Sequence, residues 1–195
     1  MVDYGKTMLP NYYKEKLTEW NKEVLLEESI KVFWKDISLN GKIDKVEFNG
    51  NSVKVVDYKT GKIANVNKFG SDEAPISEEA LAQSIAEHKE IKDSEKFGGD
   101  YWRQAVFYKI LIDNDPNRNW NVEEAIFEFM EVDKKTNKYP LIKIIVTPIH
   151  EQIVKEQILF TYTGIKNKQF DGCGKIDCEW CSFLSDKLKV EQRRY

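Results

Sequence analysis

A chain of 195 residues with 41% hydrophobic and 12% aromatic content is long enough to bury a core, and its length points to one domain with a small C-terminal appendage. A net charge of -3 gives no generic attraction for nucleic acid, no run approaches the roughly 18 apolar residues of a membrane helix, and the N-terminus lacks the charged-then-apolar pattern of a secretory signal. A soluble, cytoplasmic protein is therefore expected.

In chain order, Leu9 to Trp20 spaces Tyr12, Tyr13, Leu17 and Trp20 as a helix would, and Val24 to Ile37 alternates as a strand does. Leu39 to Phe48 and Ser52 to Lys59 are β-rich runs flanking Asn49-Gly50-Asn51, the strongest hairpin signal in the chain. The polar stretch after Gly61, with Gly70, Ser71 and Pro75, predicts a loop. Ser77 opens a helix to about Lys89, and Asp100 caps another that carries Trp102, Ala105, Val106, Tyr108 and Ile112. Val122 to Val132 and Tyr139 to Val146 form a second antiparallel pair across the lysine-rich turn Asp133 to Lys138, and Pro148 opens a last helix to about Ile165.

Chemistry concentrates on the first hairpin. Along a strand successive side chains alternate faces, so Asp57 and Lys59 share one face and Tyr58 takes the other. Asp44 joins that face if the loop holds two residues (Asn49-Gly50) or four (Asn49 to Ser52), and is separated from it by a loop of three. In the four-residue register the two carboxylates are opposite, with β-carbons about 5 Å apart. Two acids so placed behind Val46, Phe48, Val53 and Val55 are unfavourable without a compensating cation, and oxygen-only ligation suits Mg²⁺ or Mn²⁺. On spacing alone, an ordinary ion pair on a solvated strand explains Asp57 and Lys59 equally well.

The string Gly41-Lys42-Ile43-Asp44, the hairpin, Val56-Asp57-Tyr58-Lys59-Thr60-Gly61-Lys62 and then Gln104 with Tyr108 resembles the RecB-like branch of the PD-(D/E)XK nucleases, over about residues 23 to 182. The resemblance implies an α/β fold, a restriction-endonuclease-like mixed β-sheet flanked by helices, spanning residues 1–170 as a nuclease core that lacks an N-terminal helix, with 171–195 a cysteine-containing C-terminal segment. It implies that Asp44, Asp57 and the Tyr58 backbone carbonyl ligate Mg²⁺ or Mn²⁺, that Lys59 orients the attacking water and offsets charge on the phosphate, and that Gln104 and Tyr108 contact DNA or support the site. Bound cations would restore the positive potential that the net charge lacks. Without the hairpin upstream, Tyr108 reads as a core aromatic and Gln104 as a surface amide.

RecB-like nucleases carry a further histidine ligand on a helix before the Gly-x-Ile-Asp strand. Here the only histidines are His88 and His150, which read as surface or capping residues. The abrupt start at Met1 is what a piece of a larger protein would show. The three cysteines, Cys173, Cys178 and Cys181, resemble the C-terminal segment of AddB-type and CRISPR-adaptation nucleases, which holds an iron–sulfur cluster on four thiolates; with three, an iron–sulfur or zinc site is incomplete unless a fourth ligand comes from elsewhere. The expected function is a metal-dependent DNA exonuclease in recombination or repair, with DNA, helicase or recombination subunits, or upstream domains of the same protein as partners. The alternative is a catalytically silent DNA-binding or docking module of the same fold. Lys134, Lys135 and Lys138 read as a solvated run with no assigned role.

Overall fold

The computed structural model describes residues 2–169, 172 and 178–183. They fall into two compact units, Met1–Lys155 and Glu156–Tyr195, and the first contains the whole sheet. Its order is α1 (Val2–Lys16), β1 (Val24–Trp34), β2 (Ile37–Asn49), β3 (Ser52–Lys59), α2 (Ile63–Phe69), α3 (Glu78–Ala86), α4 (Asp93–Phe97), α5 (Asp100–Asp113), β4 (Asn121–Phe129) and β5 (Leu141–Ile144); α6 (Pro148–Lys166) runs from the first unit into the second. The five strands lie in sequence order in one sheet. Neighbours are antiparallel except β3 and β4, which run parallel, so the segment holding α2 to α5 is the crossover that a parallel pair requires.

The hairpin forms as its sequence dictates. Gly50 takes a left-handed φ of 64°, and the β2–β3 ladder runs from Asn49↔Ser52 through Phe48↔Val53 to Lys45↔Val56. This is the four-residue register with its innermost pair also closed, leaving Gly50-Asn51 as the turn. Carried one step further, the register sets Asp44 opposite Asp57. Strand β3 is central, covered on both edges by β2 and β4, and Val53, Val55 and Val56 are buried. Strand alternation then separates two layers of helix: Tyr12 of α1 packs edge-on against Tyr58, while Tyr101 of α5 stacks on Phe127, which pairs with Asp57 across the parallel ladder.

Several expectations need correction. Helix α1 spans Val2–Lys16 rather than Leu9 to Trp20; Trp20 lies past its end and folds back onto Tyr12 and Tyr13. The stretch after Gly61 is not a plain loop, because Ile63–Phe69 is helical and ends on Gly70 in the left-handed conformation. Asp100 does not cap α5: Gly99 stands at the N-cap, the Ser71 carbonyl accepts from the N–H groups of Tyr101 (2.7 Å) and Trp102 (3.1 Å), and Asp100 pairs with Arg103. Gly99 is required there, since a Cβ would collide with the backbone of Gly70 and Ser71. The Ser77 cap of α3 is as expected, accepting from Ala80 N at 3.2 Å.

Candidate active site

The carboxyl end of β3 carries Asp57, which is 6% exposed. A buried carboxylate is costly unless its oxygens are satisfied, and here each has donors. Oδ1 accepts from the Tyr108 hydroxyl at 2.6 Å and from Gln104 Nε2 at 2.8 Å, while Oδ2 lies 2.7 Å from Lys59 Nζ. Gln104 closes the ring, because its Oε1 accepts from Lys59 Nζ at 2.9 Å. Only this orientation of the amide serves both the carboxylate and the ammonium. Gln104 and Tyr108 reach the same atom because they stand four apart on α5, one above the other on one helix face.

Asp44, half-buried on β2, sits where the ladder has ended, and its Oδ2 accepts from the Tyr58 N–H at 2.9 Å. A side-chain carboxylate thus replaces the carbonyl that a continuing ladder would offer. The Tyr58 peptide is thereby tied to Asp44 on one side, while its ring is held on the opposite face by Lys45 (Nζ 5.3 Å from the ring centre) and by Tyr12 (6.3 Å). Burial, then the hydrogen bond and charge of Asp57, push the Tyr108 hydroxyl well above its ordinary range, with the Asp44 charge adding to the effect. Tyr108 therefore remains a donor to Asp57 at any working pH.

One residue escaped the sequence reading. The Tyr101 ring stacks on Phe127 (4.9 Å between centres, 17° between planes), and Lys59 Nζ lies 4.9 Å from the centre of Tyr101 and 5.3 Å from that of Phe127. Two aromatic rings, a carboxylate and an amide oxygen thus surround the ammonium. The available signal was spacing: Tyr101 precedes Gln104 by three residues and so belongs to the helix face that Gln104 and Tyr108 define.

The histidines lie apart from this network. His150 pairs reciprocally with Thr147 at the start of α6, each backbone N–H 3.4 Å from the other's side chain, and its ring packs on Trp102; His88 is exposed with a left-handed φ of 53° just past α3. Cys173 lies outside the described residues. Cys178 and Cys181 are half-buried, the first just before and the second within the helical turn 179–183, where the Cys178 carbonyl accepts from Ser182 N. Among the described residues no three His, Cys, Asp or Glu side chains converge as a metal cluster.

The mixed sheet flanked by helices is the restriction-endonuclease-like arrangement, and the family profile of the PD-(D/E)XK nuclease superfamily matches residues 5–185. The chain belongs to that superfamily. Among solved structures it is similar to a protein from Eubacterium rectale described as a "putative exonuclease", at 11% identity and a TM-score of 0.50, with 91% of this chain and 58% of the other covered. The structure of SSO0001 is similar at 14% identity and a TM-score of 0.37, covering 76% and 55% of the two chains. Identities this low concern the fold alone, and the chain spans less than two thirds of either neighbour. No curated protein sequence matches it. Among the described residues no helix is long and apolar enough to cross a membrane.

Proposed function

We propose that the chain is a divalent-metal-dependent deoxyribonuclease of the RecB-like branch, an exonuclease that hydrolyses DNA phosphodiesters in recombination or repair, working as one domain of a longer helicase-associated protein. The observation that carries this reading is the closed network of Asp57, Lys59, Gln104 and Tyr108 at the end of the central strand, with Asp44 one step across the hairpin. It agrees with the superfamily to which the chain belongs.

The donor set fits Mg²⁺ or Mn²⁺. Both carboxylates are hard oxygen ligands, the Tyr58 carbonyl is a third oxygen on a residue whose N–H and ring are both engaged, and Mg²⁺ commonly takes one or two carboxylates and completes its shell with water and phosphate oxygens. A cation there supplies Lewis acidity toward the phosphate. Lys59, fixed between Asp57, Gln104 and the two rings, orients the attacking water and offsets the charge that gathers on the scissile phosphate. Gln104 and Tyr108 hold Asp57 in one rotamer, so the pair of carboxylates is preorganised.

Among the described residues no third His, Cys, Asp or Glu converges with the two acids, and the competing reading is a silent DNA-binding module. Incubation of linear DNA with Mg²⁺ or Mn²⁺ separates the two. The nuclease reading expects mononucleotide release by the wild type and a loss of about a thousandfold in Lys59→Ala and Asp57→Ala, in line with removal of a preorganised charge. A wild type as inert as both variants would leave only the module.

A further inference from the structure

We infer that the groove at the carboxyl ends of β3 and β4 is a second binding site, which takes an unpaired nucleic-acid strand and leads it to the Asp57–Lys59 centre. This deepens the nuclease reading and rests on it for the role of the bound strand.

The groove consists of two adjoining cavities, of about 470 and 230 Å³, which share Glu131, Val132 and Lys134. It begins at the active-site strand itself, because Met130 N donates to the Lys59 carbonyl at 3.0 Å. Lys62, only three residues beyond Lys59 and therefore within about 10 Å of it along the chain, lines the smaller cavity. The larger cavity is bordered by α1, on the face of the sheet opposite Asp57 and Lys59, so a strand lying in the groove would reach the centre by passing over the end of β3 beside Lys62.

Its chemistry suits a phosphate backbone with an open base. Lys62, Lys134 and Lys135 border the smaller cavity. Glu131, the acid between the cavities, already accepts from the Tyr4 hydroxyl at 2.5 Å and has Lys62 Nζ at 3.8 Å. Among the described residues neither Lys134 nor Lys135 has a carboxylate within 4 Å; the Lys135 charge acts on Asp133, the second acid lining the smaller cavity, whose carboxylate is held by the turn itself, so Lys134 above all faces the groove with its charge open to phosphate. The turn that presents them is rigid: Asp133 N donates to Lys138 O (2.9 Å), Asn137 N to Asp133 O (2.8 Å), and the Asp133 carboxylate accepts from Lys135 N (3.3 Å) and the Thr136 hydroxyl (3.0 Å). Cations on a preformed turn lose little entropy on binding. The larger cavity adds the half-exposed ring of Tyr4 with the amides of Asn11 and Asn137, a stacking face beside hydrogen-bonding groups. Base faces are covered by their neighbours in a duplex, so a pocket of this size and lining selects an unpaired base.

The test is binding rather than cleavage. Fluorescence anisotropy of labelled oligothymidylate, and of a duplex of equal length, is measured across a salt series with EDTA present. The wild type is expected to prefer the single strand. Lys134→Ala with Lys135→Ala is expected to weaken that binding about tenfold and flatten the slope of log K against log salt by about 1.4, roughly 0.7 for each single-strand phosphate that the variant leaves unneutralised. Tyr4→Leu is expected to cost about fivefold or more for the single strand alone, the effect of removing one ring on which a base stacks. Unchanged affinity and slope in the lysine variant, or duplex bound as tightly as single strand, would overturn the inference. Because no metal is present, a protein whose variants bind this weakly yet cuts nothing with Mg²⁺ keeps the groove and loses the hydrolysis, while one that cuts DNA with variant binding unchanged loses the groove alone.

Discussion

The two faces of β3 bury charge in different ways. On the face turned to α1, each buried charge has a partner of opposite sign: Lys45, 5% exposed, lies 2.7 Å from Glu47, and Glu128, 6% exposed, lies 3.7 Å from Lys16, which also holds the exposed Glu19 at 2.9 Å. On the face turned to α5, Asp57 has the ammonium of Lys59 with a neutral amide and a phenol, while Asp44 accepts only from a backbone N–H, that of Tyr58. Ion pairs packed beside aromatic rings hold a layer together. A surplus of one negative charge at a strand end is instead an invitation to a cation, since like-charged carboxylates are stable together only when something positive joins them. Alternation along three successive residues, Asp57, Tyr58 and Lys59, is enough to put support and chemistry on opposite sides of one strand.

The contrast breaks most visibly under truncation. Lys59→Ala and Asp57→Ala are expected to lose about a thousandfold in cleavage while the fold persists, and Mg²⁺ should raise the Tm of the wild type but not that of Asp57→Ala, because a cation that binds only the native site stabilises it by mass action. Tyr12→Ala on the opposite face should do the reverse. Tyr12 is 4% exposed and touches the rings of Trp20, Tyr58 and Tyr139, so its loss is expected to cost about 3–5 kcal/mol in urea unfolding, with cleavage per folded molecule largely retained.

Smaller changes sharpen the same comparison. Tyr101→Leu removes a cation–π contact worth about 0.5–2 kcal/mol, which predicts a kcat several-fold lower at unchanged KM, and Tyr101→Phe should restore it because the ring rather than the hydroxyl faces Lys59. The smallest effect lies in pH dependence. The folded Tyr108 pKa is raised above the ordinary 10.0, so its stabilising contribution is complete below pH 10 and is lost as pH rises beyond it, where the unfolded chain ionises first. The stability gap between wild type and Tyr108→Phe should therefore narrow above pH 10, as read from urea midpoints.

What could be read in advance was local. Asn49-Gly50-Asn51 announces its turn, and Val56-Asp57-Tyr58-Lys59 alternates so regularly that the facing of each side chain follows from the strand alone. Helix α2 was hidden because it is only seven residues long and Lys62 offers no side-chain cap; its end is secured instead by Gly70 and by the hydrogen bonds of the neighbouring Ser71 to the start of α5. Tyr101 was hidden for the opposite reason, since its helix was evident while its meeting with Lys59 depends on a crossover that no local pattern encodes. Gly41 shows the same limit. In the sequence it belongs to a motif beside Asp44, yet in space a Cβ there would come 2.5 Å from Leu111 Cδ1, a demand for close strand–helix approach that only the tertiary fold reveals.

The one parallel pairing in the sheet also sets an order of assembly. β1, β2 and β3 are joined by tight turns and can zip together with little loop closure, whereas β4 must await the collapse of residues 60–120 before it finds β3. Asp44 and Asp57 are thus brought face to face early, and Gln104 and Tyr108 arrive late to satisfy them. In folding kinetics, Val46→Ala is expected to slow refolding, while Ile126→Ala should mainly hasten unfolding. Through that interval the nascent meander carries two bare acids side by side, and divalent ions in the refolding buffer would speed its maturation by screening them.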